Sequence, residues 1–397
     1  MNSLTVRSMS KLLALLSLLI LLAVHSAAQT NTPPVQVERV RLLYESARTR
    51  EGAGEWGAAE KLWEEVVRLA PEDARAWVNL GVARSRQEKR EEAIEAWNHA
   101  LSLDPNLAGA HFNLGLALVR GGEPASAIAP LRRALVLEPT NEAARRALAV
   151  ALVGAERFQE ASREIAQLLA RAPRDAALLE MAARSFLRQR RFDEAVTVLR
   201  RRLNLDGATG EMWAMYGDAL DGAHRTAEAA EAYERAVKLA PESNAIRYGL
   251  GYLYWKLYRY DDAEPVLAEV LRRDPAEARA AFTLGDLYLT RGEASRALPL
   301  LEQAARAFPL EFDTRFALGR ALMQTGDAVR AVEELSAAVR LDEEIADGHY
   351  QLGRALIVAG KKEEGRRELD RARELNERKR EGEAKRTEQK RIEQKKP

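Results

Sequence analysis

The apolar positions of this chain recur at two spacings. Within short stretches they fall three, four and seven apart, the spacing of one face of an α-helix, and a glycine or a charged break ends each stretch. Along the chain the pattern returns every 34 residues: alanine stands at Ala59, Ala93, Ala127, Ala161, Ala195, Ala229, Ala263, Ala297 and Ala331, with Gly365 in the tenth place. Twelve residues earlier only tiny side chains occur: Gly81, Gly115, Gly217, Gly251, Gly285, Gly319 and Gly353, with Ala47, Ala149 and Ala183 in the other three repeats. Four residues after the alanine the slot is large, as at Trp63, Trp97, Leu131, Tyr233 and Leu335. Twelve after it the chain breaks at Pro71, Pro105, Pro139, Pro173, Pro241, Pro275 and Pro309. Proline lacks an amide hydrogen and clashes with the preceding turn, so it stops a helix. Each unit of 34 residues therefore predicts a helical hairpin. Its glycine and alanine are expected to face each other so that the backbones approach, while large residues fill the space beside them.

Counting back from Pro71 sets the register: ten repeats start at 40, 74, 108, 142, 176, 210, 244, 278, 312 and 346, and fill 40–379 without insertion. This pattern resembles the tetratricopeptide repeat. The resemblance implies an all-α fold, an α-solenoid wound as a right-handed superhelix of about ten 34-residue helix-turn-helix repeats. It also implies that first helices line a concave groove, with the second, fifth, ninth, twelfth and thirteenth residues of each repeat turned into it. On that placement the fifth position of the last four repeats carries Tyr248, Phe282, Phe316 and Tyr350, with Tyr252 and Trp255 beside the first. Flanking groove positions hold Asp286, Asp313, Arg320, Asp347 and Arg354. Aromatic rings offer large contact area at small entropic cost, so this stripe either anchors a partner segment or seals neighbouring helices together. Asn79 and Asn113 occupy the sixth position, but groove lysines other than Lys256 are missing, which departs from the family's carboxylate clamp for chaperone C-termini.

A middle zone is charged. Arg146, Arg184 and Arg188 are expected to face Glu211, Asp218 and Asp221, and equivalent slots make an Arg184–Asp218 pair the simplest reading, worth ~0–1 kcal/mol. Repeat five departs from the pattern, with Gly207 where others have proline and Arg202 in an apolar slot. An unpaired guanidinium cannot be buried cheaply, so a weak junction and a hinge are expected near Gly207–Gly210.

The ends suggest a setting. Arg7 and Lys11 precede an apolar run from Leu12 to Val24, followed by Ser26 and Ala28, small residues that suit signal peptidase. Residues 1–28 therefore read as a signal peptide, 29–39 as a linker, and the mature chain as periplasmic or secreted. From Lys361 onward, 15 basic residues stand against 10 acidic ones, so 380–397 reads as a charged basic tail whose sole route to a membrane is electrostatic.

Catalytic chemistry finds little to work with. Cysteine is absent, which excludes disulfides and thiolate sites. His99, His111, His224 and His349 are scattered and read as packing or surface residues, and no metal or cofactor is implied. The run Gly52-Ala53-Gly54-Glu55-Trp56-Gly57 has the form of a dinucleotide fingerprint but falls in a hairpin turn. The expected function is a non-enzymatic cell-envelope scaffold that binds protein segments in its groove; the alternative is an accessory protein handling polysaccharide in an envelope export or assembly machine.

Overall fold

The computed structural model describes residues 34–394, so the expected signal peptide lies outside the described residues. These residues form 20 helices and no strand. The first helices of the ten hairpins are α1 (Pro34–Gly52), α3 (Ala74–Ser85), α5 (Ala108–Arg120), α7 (Glu142–Gly154), α9 (Ala176–Arg188), α11 (Gly210–Gly222), α13 (Asn244–Lys256), α15 (Ala278–Thr290), α17 (Phe312–Thr325) and α19 (Ala346–Val358). The second helices are α2 (Trp56–Leu69), α4 (Arg90–Leu103), α6 (Pro124–Leu137), α8 (Phe158–Arg171), α10 (Phe192–Leu203), α12 (Thr226–Leu239), α14 (Tyr260–Arg273), α16 (Ala294–Ala307), α18 (Ala328–Leu341) and α20 (Lys362–Gln394). From the second hairpin on, every first helix starts on the first residue of its repeat as counted from the sequence.

Local chemistry explains these boundaries. From the second hairpin on, the residue before each first helix is extended, and its side chain often accepts backbone N–H bonds: Asp73 from Arg75 and Ala76, Asn141 from Ala144, Ser243 from Ile246. Inside every hairpin the first helix ends in the same way. The fifteenth residue of each repeat is left-handed, and the next N–H bonds back to the carbonyl five residues earlier, as Arg157 does to Leu152 and Glu293 to Tyr288 at 2.8 Å. Glycine supplies that conformation in five hairpins, whereas Glu88, Glu156, Arg190, His224 and Tyr258 adopt it in the others. The fingerprint-like run proves to be such a turn, with Gly54 at φ 73°.

The periodic alanines are all fully buried. Their glycine partners, however, do something other than face them. A Cβ built on Gly115 would stand 2.5 Å from Leu131, on Gly319 2.5 Å from Leu335, and on Gly81 2.4 Å from the Trp97 indole. The glycine thus makes room for the large residue four after the alanine, and this contact sets the spacing of the helix pair. In the sixth and tenth hairpins the two small slots also meet directly: a Cβ on Gly217 would lie 3.2 Å from the Ala229 carbonyl oxygen, and one on Gly365 2.7 Å from the Gly353 carbonyl oxygen.

The described residues form two compact units, hairpins one to four ending at Pro173 and hairpins five to ten starting at Arg174. Within each unit most first helices of successive hairpins touch, as α3 does α5 and α13 does α15, while successive second helices lie farther apart.

The basic tail, up to Gln394, is a helical extension of α20. Two expectations need correction. Residues 34–39 belong to α1, with Pro34 suited to a helix start, and are not linker. Arg202 is buried, but it is not unpaired: its Nε donates to Glu180 at 2.7 Å, and its other nitrogens reach the carbonyls of Asp206 and Gly207. The helix that carries it, α10, does end two residues short of the register, but the division between compact units falls one repeat earlier than Gly207.

Gly319→Ala should loosen hairpin nine by about 1–2 kcal/mol, since overpacking outweighs the roughly 0.5–1 kcal/mol of helix propensity gained. In a Leu335→Ala background the clash is gone, and the same change should stabilise. Hydrogen exchange of the α17 amides reads both. At the strained turn, Tyr258→Gly should raise stability by about 1 kcal/mol, because a left-handed L-residue costs roughly that much; thermal unfolding measures it.

Candidate functional site

The four rings at the fifth position lie on α13, α15, α17 and α19, one per hairpin, within the second compact unit. Tyr248, Phe282 and Phe316 are half-buried, while Tyr350 is 46% exposed and Tyr252 36% exposed. Ring contacts divide the stripe into groups. Tyr252 stacks on Trp255 at 5.6 Å and lies 6.2 Å from Tyr248. Phe316 stacks on Phe312 at 5.2 Å. Packing covers most of Tyr248, Phe282 and Phe316, while Tyr252 and Tyr350 keep a third or more of their surface open.

Charged groups are placed against the rings. The Arg320 guanidinium sits 5.6 Å over Phe316, and Arg354 lies 5.9 Å over Tyr350, both within cation–π range. The Trp255 indole N–H donates to Asp286 at 3.1 Å, which links hairpins seven and eight. Burial pushes the Asp286 carboxyl above its ordinary value, against the opposing effects of the Trp255 bond and Arg320. Burial likewise raises the Tyr248 hydroxyl. This face can accordingly offer ring edges, Arg320 and Arg354, and the exposed carboxylates of Asp313 and Asp347 to a ligand, while Asp286 is committed to Trp255.

The charged middle zone is wired differently from expectation. Asp218 accepts a bond from the Tyr233 hydroxyl at 2.6 Å, in its own hairpin. Asp221 is held by Lys256 at 2.7 Å and by Thr226. Arg184 is exposed and forms no ion pair among the described residues, so the Arg184–Asp218 pair is not made. The histidines are structural, as read. His349 is buried with its ring nitrogens 2.6 Å from Glu368 and 3.0 Å from the Glu343 carbonyl. His111 bonds the Pro105 carbonyl at 3.0 Å.

Those two histidines belong to a device the sequence reading missed. The fourth residue of a repeat often carries a side-chain donor that bonds the carbonyl of the break before it: Trp77 to Pro71 at 2.8 Å, Arg145 to Pro139 at 3.0 Å, Arg247 to Pro241 at 2.6 Å and Arg315 to Pro309 at 3.2 Å. Because Trp, His and Arg look unrelated, the shared signal is only that each has an N–H at the right reach.

Models of the tetratricopeptide repeat match residues 118–184 and, in overlapping copies, 215–278, 253–311 and 282–344; a model described as TPR repeat matches 86–122. Together these matches span more than half of the chain and lie within hairpins two to nine. The chain belongs to the tetratricopeptide-repeat family. Repeats of this family build protein–protein interaction scaffolds, stacks in which each hairpin contacts its neighbours and leaves a long face for partners. Among solved structures, MamA MSR-1 C2 is 26% identical, with 43% of this chain and 98% of that chain covered and a TM-score of 0.39. The Naa15/Naa10 complex bound to HypK-THB is similar at 16% identity, 85% and 64% coverage and a TM-score of 0.45. Yeast Tom70 stands at 15% identity, 86% and 85% coverage and 0.39. At such scores these likenesses add nothing to the tetratricopeptide assignment, which rests on the repeat matches. No curated protein matches this chain.

The raised Asp286 carboxyl gives a prediction with a definite sign. Its folded pKa exceeds the unfolded one, so ionisation costs stability at neutral pH, and that cost vanishes as pH falls through the folded pKa. Asp286→Asn should melt above the parent at pH 7, and the gap should close on acidification. A gap independent of pH would contradict it.

Proposed function

We propose that this chain is an exported, non-enzymatic scaffold of the cell envelope that holds an extended or helical segment of a partner protein against the first helices of hairpins seven to ten. The observation that carries this reading is the exposure of Tyr252 and Tyr350 on first helices, with Arg320 and Arg354 stationed over the neighbouring rings. Interiors of hairpins bury their rings fully, as with Trp63; rings left half open on one face, with cations beside them, are the usual anchors of protein recognition. Export is supported by the basic residues Arg7 and Lys11, the apolar run after them, and the small residues at Ser26 and Ala28. Among the described residues no helix is long and apolar enough to cross a membrane.

The test separates binding from packing. Replacing Tyr248, Phe282, Phe316 and Tyr350 with alanine should weaken partner capture at least tenfold while helicity stays near that of the parent. The milder pair Tyr252→Ala and Tyr350→Ala, both at exposed rings, should show the same direction without any loss of stability. Undiminished capture by both variants, or a preference for polysaccharide over protein, would overturn the proposal. The mass of the chain recovered from its native cells should correspond to a start at Gln29.

A further inference from the structure

Hairpins two and three enclose a recess of about 750 Å³ in the first compact unit, far from the aromatic stripe in sequence. Its walls come from Arg86, which caps the end of α3, and from Phe112, Asn113, Leu116 and Arg120 on α5; the ring of Trp97 from α4 also lines it. Three arginines line it against one glutamate. The third arginine, Arg90, is already paired with Glu123 at 2.8 Å. Arg86 and Arg120 are different. Both are exposed, both stand at the thirteenth position of consecutive repeats, and neither has a carboxylate partner among the described residues. Glu88, the one lining acid, pairs with neither. Arg86 is instead held 5.3 Å over the Trp56 ring, a contact that orients a guanidinium without neutralising it.

The rest of the lining is apolar apart from the Ser85 hydroxyl and one uncommitted amide. Phe112 and Leu116 are half-buried. Trp97 is buried and its N–H is already given to the Val78 carbonyl at 3.1 Å, so it offers only a ring. Asn113 makes no hydrogen bond among the described residues, which leaves both a donor and an acceptor for a ligand's main chain. Two unpaired guanidiniums, a free amide and apolar side chains lining one recess match one kind of ligand. A bare phosphate has no use for the apolar side chains, and a sugar acid has little apolar surface to place on them.

We propose that this recess is a second binding site, for an acidic segment of a partner protein. Arg86 and Arg120 receive its carboxylates, Phe112 and Leu116 receive the apolar side chain beside them, and Asn113 bonds its backbone. Arginine suits the role because its fork of donors meets a carboxylate in two bonds. The site is independent of the aromatic face in hairpins seven to ten, so each can fail alone.

The experiment selects a pool of random twelve-residue displayed peptides on the full chain. Recovered peptides should be enriched in Asp or Glu next to a large apolar residue. Their affinity should fall at least tenfold in the Arg86→Ala, Arg120→Ala double variant and in Phe112→Ala, fall with added salt, and persist when Tyr248, Phe282, Phe316 and Tyr350 are alanine. Both arginines are exposed, so the double variant should keep its helicity, and Arg86→Lys with Arg120→Lys should restore part of the binding. Recovery of no acidic binders, equal binding by the double variant, or displacement of the peptides by inorganic phosphate or an oligoglucuronate at lower concentration would overturn the assignment.

Discussion

The architecture of this chain depends on one contact inside the hairpin: a large side chain on the second helix seated where the first helix carries only glycine, as in seven hairpins, or alanine, as in the other three. Leu131 at Gly115 and Leu335 at Gly319 show it at its tightest, with an added Cβ falling 2.5 Å from a leucine carbon. Close packing of this kind fixes the distance and rotation of two helices far more sharply than general apolarity does. The fully buried alanine next to it allows that approach. Once helix pairs are identical in geometry, stacking them needs only a standard junction, and the fourth-position donors bonded to the preceding break provide one.

The same arrangement separates structural from functional positions. Slots that seat the hairpin are confined to glycine, alanine and one large residue. The first-helix face carries none of that burden, so its residues are free to differ between hairpins. They differ in a way that suggests two specialities. Hairpins seven to ten present rings with cations over them, and hairpins two and three present unpaired arginines beside apolar side chains. In between, ion pairs and hydrogen bonds such as Lys256–Asp221 and Tyr233–Asp218 satisfy the polar groups internally.

The starts of nine first helices were legible in the sequence because proline, glycine and alanine each act through backbone sterics, which need no tertiary context. The left-handed turns at Arg190, His224 and Tyr258 were not, since nothing in those side chains asks for the conformation; the hairpin around them imposes it. Arg202 was misread for a related reason. Its burial was correctly seen as costly, but its partner Glu180 lies 22 residues away, where spacing alone gives no warning. The aromatic stripe was placed on the right helices, yet its division by stacking on Trp255 and Phe312 depends on ring orientation. The recess at Arg86 and Arg120 escaped notice because its signal is a missing partner, and a partner can be counted as missing only when all neighbours are in view.

The most direct test of the account asks which face meets the partner. A photo-activated benzoylphenylalanine can be placed singly at Tyr252 or Tyr350 on first helices, and at the exposed Val329 on the second helix α18, with cross-linking carried out in the native cells. The account predicts one partner protein trapped from both first-helix positions and none from Val329. Equal trapping from Val329, or none from the first helices, would contradict it.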